Sequence, residues 1–229
     1  MYFRKVILYD SHTHCKNRLD NTSSKFVSVC NIIARTSTSL PLDSNLFYSV
    51  GIHPWYLESW EEKFDYLQSI AHQKNILAIG ECGLDYCIDS DKQIQKEVFK
   101  KQIELSEKLK KPLVVHAVRS YADVLQIRKE IKLKQNWVLH AYNSSWQMAQ
   151  DLQQFGCYFS FGKQVLNAPE KLKEVIRNLP LRRLLIESDE DSKLLLEIYN
   201  RIAELRKITL KELILIQKNN FQTFYNLDI

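Results

Sequence analysis

Eight short apolar runs, amphipathic segments between them, and polar residues just past the ends of six runs predict an α/β fold. The architecture expected is a compact TIM-like (β/α)8 barrel with shortened early helices and loops, occupying residues 1–229 as a single domain. The runs are Lys5–Tyr9, Phe26–Cys30, Leu46–Val50, Ile76–Ile79, Leu113–Val115, Trp137–Leu139, Tyr158–Phe161 and Leu184–Ile186. They are too short for helices and rich in β-branched and aromatic residues, as parallel strands buried on both faces should be.

The first two strands are separated by only about a dozen residues, and 33–45 is Ser/Thr-rich with one proline, so irregular loops or very short helices are expected there. Later connections carry helix signals. Ser59 and Glu62 form a capping-box pattern ahead of Phe64, Leu67, Ile70 and Ala71. Asp91 can cap a helix bearing Ile94, Val98, Leu105 and Leu109, which should stop before Pro112. Ser144 or Ser145 opens a segment with Met148 and Leu152 that ends at Gly156. Asn167 precedes Ala168-Pro169, with Leu172, Val175 and Ile176 following. Thr209 and Glu212 make a second capping box before Leu213, Ile216, Phe221 and Phe224.

Composition bounds the function classes. With 45% hydrophobic and 26% charged residues the chain reads as globular, and its apolar stretches fall short of a membrane span. The apolar segment at the N-terminus is too short for a signal peptide, which makes the cytoplasm the expected compartment. Five cysteines without a CxxC pair read as free thiols; Cys15 and Cys82 adjoin polar motifs, but no second cysteine lies at zinc-ligand spacing. The net charge of +5 comes from lysines and arginines scattered along helices, which fits nucleic-acid contact and a solvated surface equally.

The functional signal is positional. His12 and His14 follow strand one, His53 strand three, Glu81 strand four, His116 strand five, His140 strand six and Asp189 strand eight. In a barrel these carboxyl ends converge on one face, where active sites form. The spacing of His12 and His14 sends both imidazoles the same way in extended backbone. Glu81, after an apolar strand, needs a partner if buried. Any one of these residues alone reads as an ordinary core residue, whereas together they point to a metal site. Four histidines with two carboxylates exceed what one tetrahedral zinc takes, and a bridging carboxylate can hold two divalent ions roughly 3.5–4 Å apart. Mixed imidazole and carboxylate ligation suits zinc, manganese, nickel or iron, with magnesium possible.

The stretches DSHTH (10–14), GIHP (51–54), AIGECGLDY (78–86), the run 95–119, WVLHAY (137–142), YFSFG (158–162) and LLIESD (184–189) occur in one order along nearly the whole chain. In them the chain resembles the TatD family of metal-dependent deoxyribonucleases, a branch of the amidohydrolase-like barrels. The resemblance implies a metal-dependent hydrolase, a phosphodiesterase or exodeoxyribonuclease acting on DNA through a two-metal-activated water. It implies that His12, His14 and Asp189 bind one divalent ion, Glu81 bridges, and His116 and His140 complete the second. Asp189 would also orient or deprotonate the water, His53 would contact a phosphate, and Arg119, one residue beyond the family's usual arginine, is a candidate phosphate clamp. Asp85 and Tyr86 read as structural. No membrane association and no protein partner are expected.

Three departures from the family pattern bear on substrate. Trp55 stands where GIHPH has its second histidine, HCFSG becomes HAYNS (140–144), and the loop after Asp189 is cut to Glu190-Asp191 before a helix. Glu190 and Asp191 would repel a phosphodiester unless they point away. An opened cleft could admit a DNA end, with Trp55, Tyr86 or Tyr142 available for base stacking. It could equally admit a small phosphoester, carboxylic ester or amide, and a non-catalytic, metal-stabilised binding barrel is the third reading.

Overall fold

A computed structural model of the chain describes residues 7–14, 25–35, 42–43, 46–131 and 134–227. Eight strands form one sheet in chain order, every adjacent pair parallel: β1 (Ile7–His14), β2 (Lys25–Ile33), β3 (Phe47–Gly51), β4 (Ile76–Asp85), β5 (Leu113–Val118), β6 (Trp137–Leu139), β7 (Tyr158–Phe161) and β8 (Leu184–Ile186). Between β3 and β8 the helices alternate with strands: α1 (Trp60–Ile70), α2 (Lys92–Leu109), α3 (Tyr121–Glu130), α4 (Trp146–Gln154) and α5 (Glu170–Asn178). After β8 come α6 (Leu195–Arg206) and α7 (Leu210–Tyr225). This is the expected (β/α)8 architecture, nearly closed. The first two connections, where short helices or loops are expected, lie mostly outside the described residues.

Most predicted helix starts hold. Asp91 accepts from the backbone N–H of Gln93 and Ile94, Ser145 from Met148, and Thr209 with Glu212 completes a reciprocal capping box. Ser59 does not cap α1. Its backbone is left-handed at φ 48°, and its hydroxyl makes no capping bond. The turn ahead of α1 is pinned instead by buried Lys63, whose Nζ donates to Tyr56 O at 2.9 Å and Glu58 Oε1 at 2.6 Å.

The interior follows from the parallel pleat. Tyr9, Val29, Val114, Val138, Tyr158 and Leu185 come from six different strands and pack in one buried cluster with Phe221, Phe224 and Tyr225 of α7. Alternate residues pack outward against the helices, as with Phe99 of α2 on Trp137 of β6.

Closure between β1 and β8 is unusual in its means. Along most of this seam, side chains rather than a backbone ladder satisfy the edge groups. The Tyr199 hydroxyl of α6 accepts from Tyr9 N (3.0 Å) and donates to Tyr9 O (2.7 Å), and Tyr225 Oη donates to Ser11 O. Ser11 Oγ donates to Ile186 O, and the Asp10 carboxylate accepts from both N–H and Oγ of Ser188. Burial pushes the Asp10 carboxyl up to about 7, with the Ser188 bonds pulling the other way. Gln217 and Asn220 of α7 cover Leu184 O. Among the described residues, direct backbone pairing occurs past the end of β8, where Asp189 N donates to His12 O and His14 N to Asp189 O.

Leaving a buried backbone donor and acceptor unpaired costs about 1–3 kcal/mol. Tyr199→Phe, which keeps the ring, is therefore expected to lower unfolding free energy by about that amount, read from the midpoint of urea denaturation. An unchanged midpoint would mean the seam does not depend on the hydroxyl.

Candidate metal centre

The carboxyl ends of β1, β4, β5 and β6, with the turns after β3 and β8, bring His12, His14, His53, Glu81, His116, His140 and Asp189 onto one face. Three overlapping groups of these donors have ligand atoms within 4.8 Å of one another: His12, His14 and Glu81; His12, His140 and Asp189; His53, Glu81 and His116. Arg119 lies at the same end, exposed and left-handed at φ 51°, with no hydrogen bond or ion pair among the described residues. Cys15 falls outside those residues, and Cys82 is buried as a free thiol that donates to Val114 O.

Glu81 is the hub. Its Oε1 lies 2.8 Å from His116 Nδ1, 2.9 Å from His140 Nε2 and 3.3 Å from His53 Nε2, while Oε2 faces His12 Nε2 at 3.6 Å. The backbone on either side allows this placement. Gly80 and Gly83 have φ near +140°, and a Cβ there would come within 2.5 Å of Val114 O and 2.1 Å of His116 O respectively. Asn31 of β2 completes the mount, accepting from Glu81 N at 2.8 Å and donating to Oε2 at 3.4 Å.

Two further carboxylates turn the histidines toward the hub. Asp85 Oδ2 is 3.0 Å from His116 Nε2, so Nδ1 is the nitrogen left facing Glu81. Glu187, fully buried, accepts from His140 Nδ1 (3.2 Å), Ala141 N (2.7 Å) and Ser160 Oγ, which leaves His140 Nε2 for the centre. Such outer carboxylates fix the tautomer and orientation of ligating imidazoles.

Asp85, read from sequence as structural, thus acts on a site histidine, and Glu187 and Asn31 escaped the sequence reading altogether. Their signal was parity: Glu81 and Asp85 share one face of β4, and Glu187 precedes Asp189 by two residues. Asn31 is an amide, which a search for imidazoles and carboxylates passes over.

Electrostatics follow from burial and this crowding. Burial first, then repulsion from His140, lowers His12 to about 4, so its imidazole is neutral. Burial works against the charged forms of Glu81 and His140 too, but their neighbours outweigh it. The imidazoles of His140, His116 and His53 hold Glu81 well below the carboxylate range, and Glu81 and Glu187 hold His140 well above the histidine range. His14 is raised by its bond to Asp189, and burial lowers His53.

The donor set fits divalent cations. Among the described residues neither ring nitrogen of buried His12 has a hydrogen-bond partner, an arrangement that costs about 1–3 kcal/mol per atom unless something else binds there. Its Nε2 faces Glu81 at 3.6 Å and Asp189 at 3.9 Å, and His14 Nε2 lies 3.4 Å from Asp189 Oδ1. These separations are too long for strong hydrogen bonds and close to the roughly 3–4 Å between ligands on a common ion.

The departures from the family pattern also resolve. Glu190 pairs with Lys163 at 3.0 Å, and Asp191 caps the 3-10 turn Ser192–Leu194 by accepting from Lys193 N. Of the three aromatics considered for stacking, Tyr142 is wholly buried against Phe159, and Tyr86 is tied to Asp123 with Lys92 over its ring. Only Trp55 keeps an open face.

A parallel barrel carrying imidazole and carboxylate groups at its carboxyl end defines the class: a metal-dependent hydrolase. Residues 9–226 match the family model described as TatD related DNase, and the chain belongs to that family. It is 30% identical to the uncharacterized metal-dependent hydrolase YabD of Bacillus subtilis, over 80% of this chain and 78% of that one. It is 29% identical to the uncharacterized metal-dependent hydrolase BU355 of Buchnera aphidicola, over 97% of this chain and 91% of the relative. A stretch covering 61% of the chain is 31% identical to 19% of the human 3'-5' RNA nuclease TATDN2. Among solved structures, the TatD homologue YJJV of Escherichia coli superposes with a TM-score of 0.83 at 22% identity, covering 96% of this chain and 98% of that one, which shows the fold. Among the described residues no helix is long and apolar enough to cross a membrane.

Two outcomes follow. Glu187→Gln should weaken divalent-metal affinity about 10–100-fold, as loss of an orienting carboxylate does, with far-UV circular dichroism unchanged. Chelator competition measures it, and wild-type affinity in the variant would exclude an orienting role. Because Glu81 and Glu187 raise His140, the metal-free centre holds a proton near neutral pH that a cation must displace. Metal affinity should rise with pH, and calorimetry in two buffers of different ionisation enthalpy should show net proton release.

Proposed function

We propose that the chain is a two-metal phosphodiesterase that shortens DNA strands from an end. The observation that carries the reading is the division of Glu81: one oxygen faces His12 and the other faces His53, His116 and His140. A carboxylate so placed suits a bridge between two ions. His12, His14 and Asp189 would hold the first and His116 with His140 the second, each ion being zinc, manganese, magnesium or nickel. Cations bound there would acidify water and neutralise charge on the phosphate.

The chain's own groups supply the rest. Asp189, part-exposed at the mouth, orients the attacking water and takes its proton as the new bond to phosphorus forms and the ester P–O bond breaks. Burial raises the Asp189 carboxyl, but His14 and His12 outweigh it and hold it below the usual carboxylate range, so it is ionised and can accept a hydrogen bond from water. In this reading His53 would contact a phosphate oxygen through Nε2, the nitrogen that faces Glu81 Oε1 at 3.3 Å, and exposed Arg119 would clamp the adjoining phosphate.

A nucleic-acid substrate is supported by the family's description and by the human relative's name. A small phosphoester, carboxylic ester or amide on the same donors drew its case from Glu190 and Asp191, and both are engaged elsewhere.

End-labelled single-stranded DNA, incubated with magnesium, manganese, zinc, nickel or chelator, should shorten only with metal. Asp189→Asn and Glu81→Ala should each reduce the rate at least about 100-fold, and an RNA strand of the same sequence run alongside reads the sugar preference. Cleavage that survives chelation or Asp189→Asn would overturn the assignment.

A further inference from the structure

Trp55 and Tyr56 are adjacent, 55% and 41% exposed, on the turn that also carries His53. Exposure alone says little, since single apolar side chains are common on surfaces. What sets Trp55 apart is that it is both open and locked. Its indole Nε1 donates to buried Asp85 at 2.7 Å, the carboxylate that also holds His116. Its backbone N–H donates to His53 Nδ1 at 3.1 Å, and its ring stands edge-on to the His53 imidazole with centroids 5.1 Å apart. The next residue is fixed as well, with Tyr56 N bonded to His53 O and Tyr56 O to Lys63 Nζ. The ring is therefore pre-positioned beside the donor cluster, and a planar ligand that stacks on it has little side-chain entropy to remove.

We propose that the open face of Trp55, with Tyr56 beside it, is a base-stacking shelf for the nucleotide adjoining the phosphate at the metal centre. The inference rests on the phosphodiesterase reading and names its substrate more closely: a strand with bases. Two features point to a nucleobase. The shelf lies beside His53, the phosphate contact, and a base is the planar group that accompanies a phosphate one sugar away. Its nearby polar groups are also committed, Asp85 to Trp55, His116 and Cys87, and Lys63 to Tyr56 and Glu58. With these two groups among the described residues engaged, the shelf would recognise a base by its face. This is the mode of sequence-tolerant single-strand binders.

The test is binding, kept apart from cleavage. Fluorescence anisotropy of the metal-loaded protein would compare a short labelled phosphorothioate strand with the same backbone lacking its bases at the terminal positions. Wild type should bind the base-bearing strand about tenfold more tightly, within the range that stacking on an aromatic side chain supplies. Trp55→Leu should lose that preference, and Trp55→Phe, which keeps a ring but not the N–H donor, should retain most of it. Equal binding of the two strands by wild type overturns the shelf, as does equal loss in Phe and Leu variants on both strands, which would mark Trp55 as a support for Asp85 alone. Base-dependent binding without any cleavage would keep the shelf and remove the nuclease assignment. Cleavage with no base dependence would do the reverse.

Discussion

The closure of the barrel at the β1–β8 seam is the constraint on which the rest depends. A parallel sheet of eight strands leaves two edges, and their unpaired N–H and C=O groups are costly when buried. Here two tyrosine hydroxyls, Ser11, Ser188, Asp10 and the amides of α7 stand in for much of the missing ladder. Among the described residues, the backbone pairing across this seam joins Asp189 to His12 and His14. The same bonds that shut the barrel thus set a carboxylate against two imidazoles. Stability and site assembly are one interaction at this point, and anything that loosens the seam pulls Asp189 away from its partners.

Around that seam the site is arranged as nested charge. Glu81 sits at the centre, mounted by Asn31 and by a glycine-flanked backbone that lies against β5. Four imidazoles surround it, and two of these are turned inward by Asp85 and Glu187. A buried cluster with this many carboxylates relies on positive charge. Part of it is the proton on His140, and the neutral, unpartnered His12 shows where a cation has a vacancy in hydrogen bonding to fill. A proton on His140 and a bound cation would draw on the same carboxylates, which is the physical reason that metal uptake is expected to depend on pH.

The family scaffold is kept while its rim is altered. The short segment after Asp189 would leave two acidic residues facing a polyanion, yet Lys163 and a 3-10 turn absorb them. In the turn after β3 the Trp55 indole holds Asp85 from outside and presents a flat face to solvent. A single substitution in the turn after β3 therefore touches both the support of His116 and the surface a substrate meets.

The sequence by itself determined the fold class and picked out the six expected metal ligands and His53, whose side chains the fold brings together. Hydrophobic runs matched β6, β7 and β8 residue for residue, because those strands are short and apolar but for Ser160. It stopped β1, β4 and β5 too early, at Tyr9, Ile79 and Val115, where the strands continue to His14, Asp85 and Val118. In those extensions polar residues such as His12, Glu81, Asp85 and His116 face a charged centre while Cys82, Leu84 and Ala117 pack in the core, and the polar positions interrupt the apolar run that marks a buried strand. The capping box at Ser59 failed for a related reason: a tertiary lysine pins that turn where the local pattern predicted a hydroxyl. Only the tertiary structure decided that Asp85 and Glu187 orient histidines, that Asn31 mounts Glu81, that Tyr142 is buried, that Glu190 pairs with Lys163 and that Asp191 caps a 3-10 turn. Each of these depends on which residue from a distant strand or helix lies within about 3 Å, a relation that spacing along one chain does not encode.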